Sequence, residues 1–323
     1  MTVLVTGAGG FIGSHVCRAL LDRGEDVLGL DNLADDGALA LKHARLAPFA
    51  EAGGWAFLEA DAADADGLAE LADTRPDIDR IVHLAARAGV RASLDEPASF
   101  VDANIRGQAA VLNAARRLPG LRHVVYASSS SVYGHATAAR FHEDDPAHGQ
   151  ESYYGASKRA AELMSQTAAQ ALGTPSTGLR FFTVYGPWGR PDMAYSIFTD
   201  AILRGRAVTL YGHGRAERDF THIDDIVAGI LAALDRPPHG TPPHRIYNLG
   251  NGHAERVARF VEVLERACGR TAERRHAALP AGDVPRTAAD VSRAQADLGF
   301  APRTSIEGGL PGFVSWYRWY HGL

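Results

Sequence analysis

The chain has 323 residues, 46% hydrophobic and 22% charged, with a formal net charge of −5. That is a globular composition with enough apolar residues for a large core and one or two domains, and without a basic stripe nucleic acid and anionic membranes are poor partners. Cys17 and Cys268 lie far apart without CxxC spacing, and the histidines show neither HExxH nor paired spacing, so neither a disulfide framework nor a metal is expected.

The start, MTVLVTGAGG, lacks the basic flank and apolar run of a signal peptide, and no apolar stretch of about 18 residues follows, so the expected location is the cytoplasm. Residues 2–5 read as a short buried strand and 12–23 as a helix, with Gly7, Gly10 and Gly13 between them. Gly7 permits a tight turn, Gly10 lets the backbone approach a pyrophosphate, and Gly13 lets helix and strand pack closely. The first helical N–H groups, around Phe11 and Ile12, then face a phosphate with the positive end of the helix dipole. Residues 26–30 form the second expected strand. Asp31 ends it, placed with Asn32 for the adenosine ribose. A carboxylate there repels a 2′-phosphate, which favours NAD over NADP. Residues 55–59 form the third buried strand, and Asp61, followed by Ala62, stands where a carboxylate could meet the adenine amino group. The competing reading of both aspartates is a helix cap or a turn.

A helix at 67–73 and a strand at 80–84 lead to His83-Leu84-Ala85-Ala86, and a helix at 101–118 carries Asn104. Residues 123–127 form a strand that runs into Ser128-Ser129-Ser130-Ser131, at the carboxyl edge of a parallel sheet, where ligands bind in such folds. A serine there can hydrogen-bond a reacting oxygen, although a Ser-rich turn is the bland alternative. Tyr154 and Lys158 open a helix at 157–172, and a spacing of four puts them on one face. The chemistry this suggests removes a hydroxyl proton while hydride leaves the same carbon. A phenol of ordinary pKa, about 10, is a poor base at neutral pH. The Lys158 ammonium and a positive nicotinamide would both lower it, and Lys158 could also hold the nicotinamide ribose.

With a sixth strand at 176–180, the repeated βα units imply an α/β fold: a doubly wound, mostly parallel Rossmann sheet over residues 1–179. From 180 to 323 Gly, Pro and Arg become frequent, and helices at 194–204, 224–235 and 258–268 are separated by irregular stretches. This half is expected to be a smaller α+β cap on the substrate side, with segments around 218–250 returning to the first domain.

The run TGAGGFIG, the serines and YxxxK together resemble the extended short-chain dehydrogenase/reductase superfamily, in its NAD-dependent epimerase/dehydratase branch, over nearly the whole chain. The resemblance implies NAD as cofactor, a nucleotide-diphosphate sugar as substrate, and a homodimer built from the helices at 101–118 and 157–172. It makes Tyr154 the base, Lys158 its electrostatic partner and Ser129 the best-placed hydroxyl, with Ser128 and Ser130 as alternatives. It puts Leu84, Ala85, Ala86, Asn104 and Phe182 among the residues around the cofactor, Asn104 also steadying the central sheet. Arg218 is expected to face phosphate, with Asp283 also on the substrate side, and His83 to be a satisfied core histidine.

Three reactions share this machinery: 4-epimerisation, 4,6-dehydration and decarboxylation. Family members that dehydrate or decarboxylate typically carry an acid two positions before the Tyr of VYG, where this chain has Ser131. Residues 179–194, with Thr183 where neutral-sugar epimerases usually have Asn, resemble the UDP-glucuronate 4-epimerases, as does the Ala88–Arg91 stretch. The implied reaction is UDP-glucuronate to UDP-galacturonate through a 4-keto intermediate. The alternatives are a UDP-glucose/UDP-galactose or other nucleotide-sugar epimerase, then a decarboxylase or dehydratase, then a non-catalytic NAD-binding module. Oxidising C4 of a uronate makes a β-keto acid prone to lose CO₂, so the carboxylate must be held, and Thr183, Arg190 and Arg91 are candidates for that task. A loop Arg190 that merely pairs with Asp192 is the competing reading. Arg87, where the uronate enzymes often have Gln, and residues 34–37, where they are Tyr-rich, depart from the pattern.

Overall fold

The computed structural model describes residues 1–35, 37–134, 138–278 and 284–323. Its strands are β1 Thr2–Thr6, β2 Asp26–Asp31, β3 Trp55–Glu59, β4 Ile78–His83, β5 His123–Ser129, β6 Ser176–Phe181, β7 Thr183–Tyr185, β8 Val208–Tyr211, β9 Glu217–His222, β10 His244–Leu249, β11 Ala254–Arg256 and β12 Arg274–Ala277. Its α-helices are α1 Phe11–Asp22, α2 Leu39–Leu46, α3 Ala65–Thr74, α4 Val90–Asp95, α5 Pro97–Phe100, α6 Gly107–Ala115, α7 Tyr153–Leu172, α8 Ala194–Leu203, α9 Ile223–Leu234, α10 Val257–Cys268, α11 Ser292–Leu298 and α12 Ile306–His321.

Strand residues alternate between two apolar layers because successive side chains leave opposite faces. Val3 and Val5 join Val16, Cys17 and Leu20 of α1 and Ile226 and Ile230 of α9, whereas Leu4 joins Leu68 of α3 and Val111 of α6. Both faces of the sheet are thus covered, which permits a fully parallel arrangement. Seven strands pair in the order β10-β6-β5-β4-β1-β2-β3, all parallel. The chain winds outward from β1 through β2 to β3, then from β4 the other way. The order therefore reverses between β1 and β4, and the crevice beyond their carboxyl ends is the place for a ligand.

β10 comes from the second half of the chain and pairs with β6 along its whole length. β7 and β9, which pair in parallel with β11 antiparallel at the edge, and the β8–β12 pair form two small sheets. A separate apolar core beneath them joins α8, α10 and α12 through Phe198, Phe260 and Phe313.

Two expectations need correction. The strand at 55–59 is not buried: β3 is the sheet edge, and Ala56 and Phe57 are exposed. Trp55 still packs inward, over a strand position where any Cβ on Gly29 would come within 2.2 Å of its ring. The single helix at 101–118 is a π-helical turn, Val101–Arg106, followed by α6. The wide turn holds Asn104, whose side-chain oxygen accepts from Arg87 N–H at 2.8 Å and whose Nδ2 donates to Arg87 O at 3.0 Å and Ser157 Oγ at 2.8 Å. Asn104 therefore ties the loop after β4 to α7.

Three buried histidines set an acid limit on the fold. Burial lowers His83 to about 3 and His123 and His244 to about 4. Their unfolded-state value lies near 6.5, so below that pH the unfolded chain binds more protons and stability falls, down to the folded-state values. His123, bonded to Thr177 Oγ1 and Leu234 O, is worth on the order of 3 kcal/mol between pH 6.5 and 4. We expect the melting temperature to drop over that interval and His123→Gln to flatten part of the drop. A melting temperature flat from pH 7 to pH 4 would contradict this.

Candidate active site

The turn after β1 is shaped by contacts that exclude side chains. Gly7 has φ of +73°, and a Cβ there would lie 2.7 Å from Ala85 N; one on Gly13 would lie 2.0 Å from Gly7 O. The turn thus abuts the strand end at Leu84 and Ala85, whose N–H groups are held by Thr6 O and Thr6 Oγ1. Gly10 begins α1 with no side-chain cap, so the first-turn N–H groups there point at the crevice. A glycine cradle with an uncapped helix start and Asp31 at the next strand end fits a dinucleotide.

Asp31 is buried. Its Oδ2 accepts Gly9 N–H at 3.0 Å, and its Oδ1 accepts Leu33 N–H at 3.0 Å and faces Lys42 Nζ at 3.3 Å. Asp61 lies close by: its Oδ2 accepts Asn32 Nδ2 at 3.2 Å and its Oδ1 accepts Ala63 N–H at 2.8 Å, with Ala62 buried between. Asn32 and Asp61 therefore meet, while the turn role of Asp61 is also present.

At the end of β5 the pleat separates neighbouring serines. Ser128 is buried and donates to Glu162 Oε1 of α7 at 2.6 Å, on the face of the strand opposite Ser129. Glu162 also receives Arg180 through Nε at 2.8 Å and Nη2 at 2.9 Å, and Arg159 at 2.8 Å. Burial opposes the charge on Glu162, yet these donors hold its carboxyl below its ordinary value. Ser129 bonds within the turn to Ser131 and also reaches Tyr154. Ser130 opens the short 3-10 turn that follows and is half-buried.

Tyr154 sits in the first turn of α7, capped by Ser152 Oγ on Gly155 N–H. Burial holds its phenol above the ordinary value, while the hydrogen bond from Ser129 and the charge of Arg190 pull it down. The cation that bears on the Tyr154 phenol is thus Arg190, a residue its spacing to Lys158 did not point to. Lys158 is buried, donates to Ala127 O at 3.0 Å, and is brought down to about 8 by burial. His83 bonds Thr6 Oγ1 through Nδ1 at 2.7 Å, a satisfied core histidine.

Across the crevice, Arg190 grips Asp192 through two bonds, at 3.0 and 2.6 Å, and reaches Ala88 O at 3.2 Å. Arg190 thus makes the pairing with Asp192 that the competing reading describes, and its charge also bears on Tyr154. Thr183 opens β7, half-buried, after the buried Phe182. Arg91 lies on the surface of α4 with its guanidinium 5.2 Å from the Tyr211 ring centroid. Arg218, on β9, donates to Glu217 O at 2.9 Å. Asp283 falls outside the described residues. Among the described residues no cluster of three or more His, Cys, Asp or Glu could hold a metal, and no helix is long and apolar enough to cross a membrane.

Three side chains near the crevice were not anticipated from the sequence. Lys42 and Arg45 share a face of α2, a helix whose signal was the Leu39–Leu46 run of helix formers. Asp219, fully buried, collects Asn251 N–H, Gly252 N–H, Ala289 N–H and Thr221 Oγ1 and so pins β9 to the loop after β10.

A family model, the NAD dependent epimerase/dehydratase family, matches residues 3–250. UDP-glucuronate 4-epimerase 2 of Arabidopsis thaliana is 43% identical, over 99% of this chain and 76% of its own. The crystal structure of UDP-glucuronic acid 4-epimerase from Bacillus cereus in complex with UDP-glucuronic acid and NAD superposes with a TM-score of 0.92 at 32% identity, covering 99% and 100% of the two chains. The UDP-glucose 4-epimerase of Thermotoga maritima with UDP-glucose gives 0.90 at 29% identity, covering 99% and 100%.

Proposed function

Because the chain belongs to the NAD-dependent epimerase/dehydratase family, we propose that it interconverts UDP-glucuronate and UDP-galacturonate by inverting C4. The observation that carries this reading is the grouping of Tyr154, Ser129 and Arg190 at the carboxyl edge of the sheet, beside a serine run that holds no carboxylate. Relatives that bind UDP-glucuronic acid and NAD support it.

In this reading the turn at Gly7, Gly10 and Gly13 with Asp31 would hold NAD, and Lys158 would steady its ribose. When bound, NAD would supply the reversible hydride transfer at C4. Ser129 orients the 4-oxygen. Tyr154, as phenolate, takes the 4-hydroxyl proton when hydride leaves and gives it back when hydride returns, so no proton or electron pair is left over. Thr183 and Arg190 hold the C6 carboxylate away from the geometry in which a 4-ketone expels CO₂. Arg218 meets the diphosphate, and Arg91 and Asp283 are assigned to the substrate side. A cytoplasmic homodimer is part of the proposal: Val101, Tyr153 and Leu163 are exposed apolar side chains on the π turn and α7, where a second copy would pack.

The test is to incubate the enzyme with UDP-glucuronate and resolve the products. UDP-galacturonate is expected. A UDP-pentose with CO₂, or conversion of UDP-glucose only, would displace the reading. Arg190→Ala is expected to lower uronate turnover about tenfold or more, to lower neutral-sugar turnover less, through its charge on Tyr154 alone, and to raise CO₂ release. Equal losses on both sugars without CO₂ would remove its proposed role.

A further inference from the structure

Arg45, on α2, is 6% exposed and spends its guanidinium on backbone carbonyls of two separate loops. Nη1 donates to Gly9 O at 3.0 Å. Nε and Nη2 donate to Trp188 O at 3.0 and 2.6 Å, and Nη2 also reaches Gly189 O at 3.4 Å. Gly9 lies inside the glycine turn, and its own N–H is held by Asp31, which also faces Lys42 one helical turn before Arg45. One face of α2 therefore grips the dinucleotide turn and reaches across it to the loop that leads into Arg190.

That loop needs holding. Trp188 has φ of +63°, in the left-handed region, which strains a bulky residue and persists only when its surroundings enforce it. The two bonds from Arg45 fix its carbonyl. Its ring packs among Trp316, Trp319 and Tyr320, with centroids 5.4, 5.9 and 5.6 Å away. Gly189 follows, where a Cβ would lie 2.5 Å from the Tyr195 ring, and the Tyr195 hydroxyl accepts Arg190 N–H at 2.9 Å. Between Trp188 and Arg190 the backbone has no slack, so a displaced Trp188 carbonyl moves Arg190.

We infer that Arg45 is a positioning residue: it locks the left-handed turn at Trp188 to the glycine turn and thereby fixes where Arg190 stands beside Tyr154. The rigid guanidinium fork suits this task because it meets several carbonyls at set angles, which an ammonium does not. The cofactor side and the sugar side of the crevice are coupled through this side chain. For its kinetic consequence the inference rests on the proposed 4-epimerisation.

The experiment uses NAD-loaded enzyme carrying Arg45→Met or Arg45→Lys, each alone and with Arg190→Met. The first readout is the phenolate titration of Tyr154, followed by ultraviolet difference absorbance against the matching Tyr154→Phe background. Arg45→Met is expected to move it upward, and Arg190→Met to leave nothing further for Arg45→Met to move. The second is kcat against KM for UDP-glucuronate: kcat should fall about tenfold with KM little changed, since a small misplacement near reacting groups acts on the rate. The double variant should be no slower than Arg190→Met alone. Multiplying losses, or a titration left at the wild-type value, would overturn the inference. Arg45→Lys keeps the charge and a shorter reach and should fall between wild type and Arg45→Met. If Arg45→Met does not fold, the Arg45→Lys titration decides alone. The titration needs no substrate, so a wild type unable to interconvert the UDP-uronates defeats the proposed reaction and leaves this inference to the titration.

Discussion

Tyr154→Phe is expected to fold, to keep its NAD, and to lose turnover by about 10²–10⁴-fold, the range for removing a general acid–base group. The substitution takes away one oxygen and keeps the ring, which meets Phe100 edge-on at 6.3 Å, so packing around the start of α7 should survive. Without the oxygen, the 4-hydroxyl proton has no acceptor at the place where Ser129 and Arg190 converge. Burial alone keeps this phenol too weakly acidic to be ionised at neutral pH; Ser129, Arg190 and the bound cofactor's charge must together bring it down. Activity should therefore rise with pH as the phenolate forms. Measuring kcat and bound NAD together checks the assignment: near-wild-type turnover in Tyr154→Phe would dismiss it as the base, and lost NAD would make it a cofactor residue instead.

Glu162→Ala should be the most destabilising single change near the site, costing about 3–5 kcal/mol of unfolding free energy. The Arg180 guanidinium is 2% exposed and lies 4.7 Å from the Tyr133 ring centroid, so it cannot turn to water when its carboxylate goes. Ser128 loses its acceptor at the same time. The penalty belongs to the stranded cation, so removing both charges as Glu162→Leu with Arg180→Met should recover more than half of it. Denaturant unfolding of the two variants measures this. A cost below about 1 kcal/mol for Glu162→Ala, or a double variant worse than the single, would show that the pair is not what holds β5, β6 and α7 in place.

Much of the fold was readable because its signals are local. Buried parallel strands are short apolar runs, and the glycine turn between β1 and α1 has few alternatives. The exposure of β3 was not readable, because an edge position depends on strand order rather than on residues 55–59 themselves. The π turn at Val101–Arg106 hid inside a continuous helical pattern, since its cause, Asn104 reaching Arg87, is a tertiary contact. The serines show the same division. Composition placed four hydroxyls at the sheet edge, but only the pleat decides that Ser128 turns to Glu162 and Ser129 to Tyr154. Arg45 carried no motif because it binds carbonyls, and every residue has one. Lys158 was legible through its spacing to Tyr154, whereas the nearness of Arg190, thirty-six positions further on, required the folded chain.

The pairing of β10 with β6 bears on how this molecule could be re-engineered. Exchanging sugar-recognition halves between relatives by splicing at about residue 180 would treat the second half as a cassette, yet that half carries a strand of the first half's sheet. A splice there cuts within β6 and sets a foreign strand against it, whose side chains are not matched to Leu179 and Phe181, and a poorly paired strand is a template for sticking to other chains. Chimeras should instead carry residues 244–249 over with the dinucleotide half, so that the borrowed region joins at three seams.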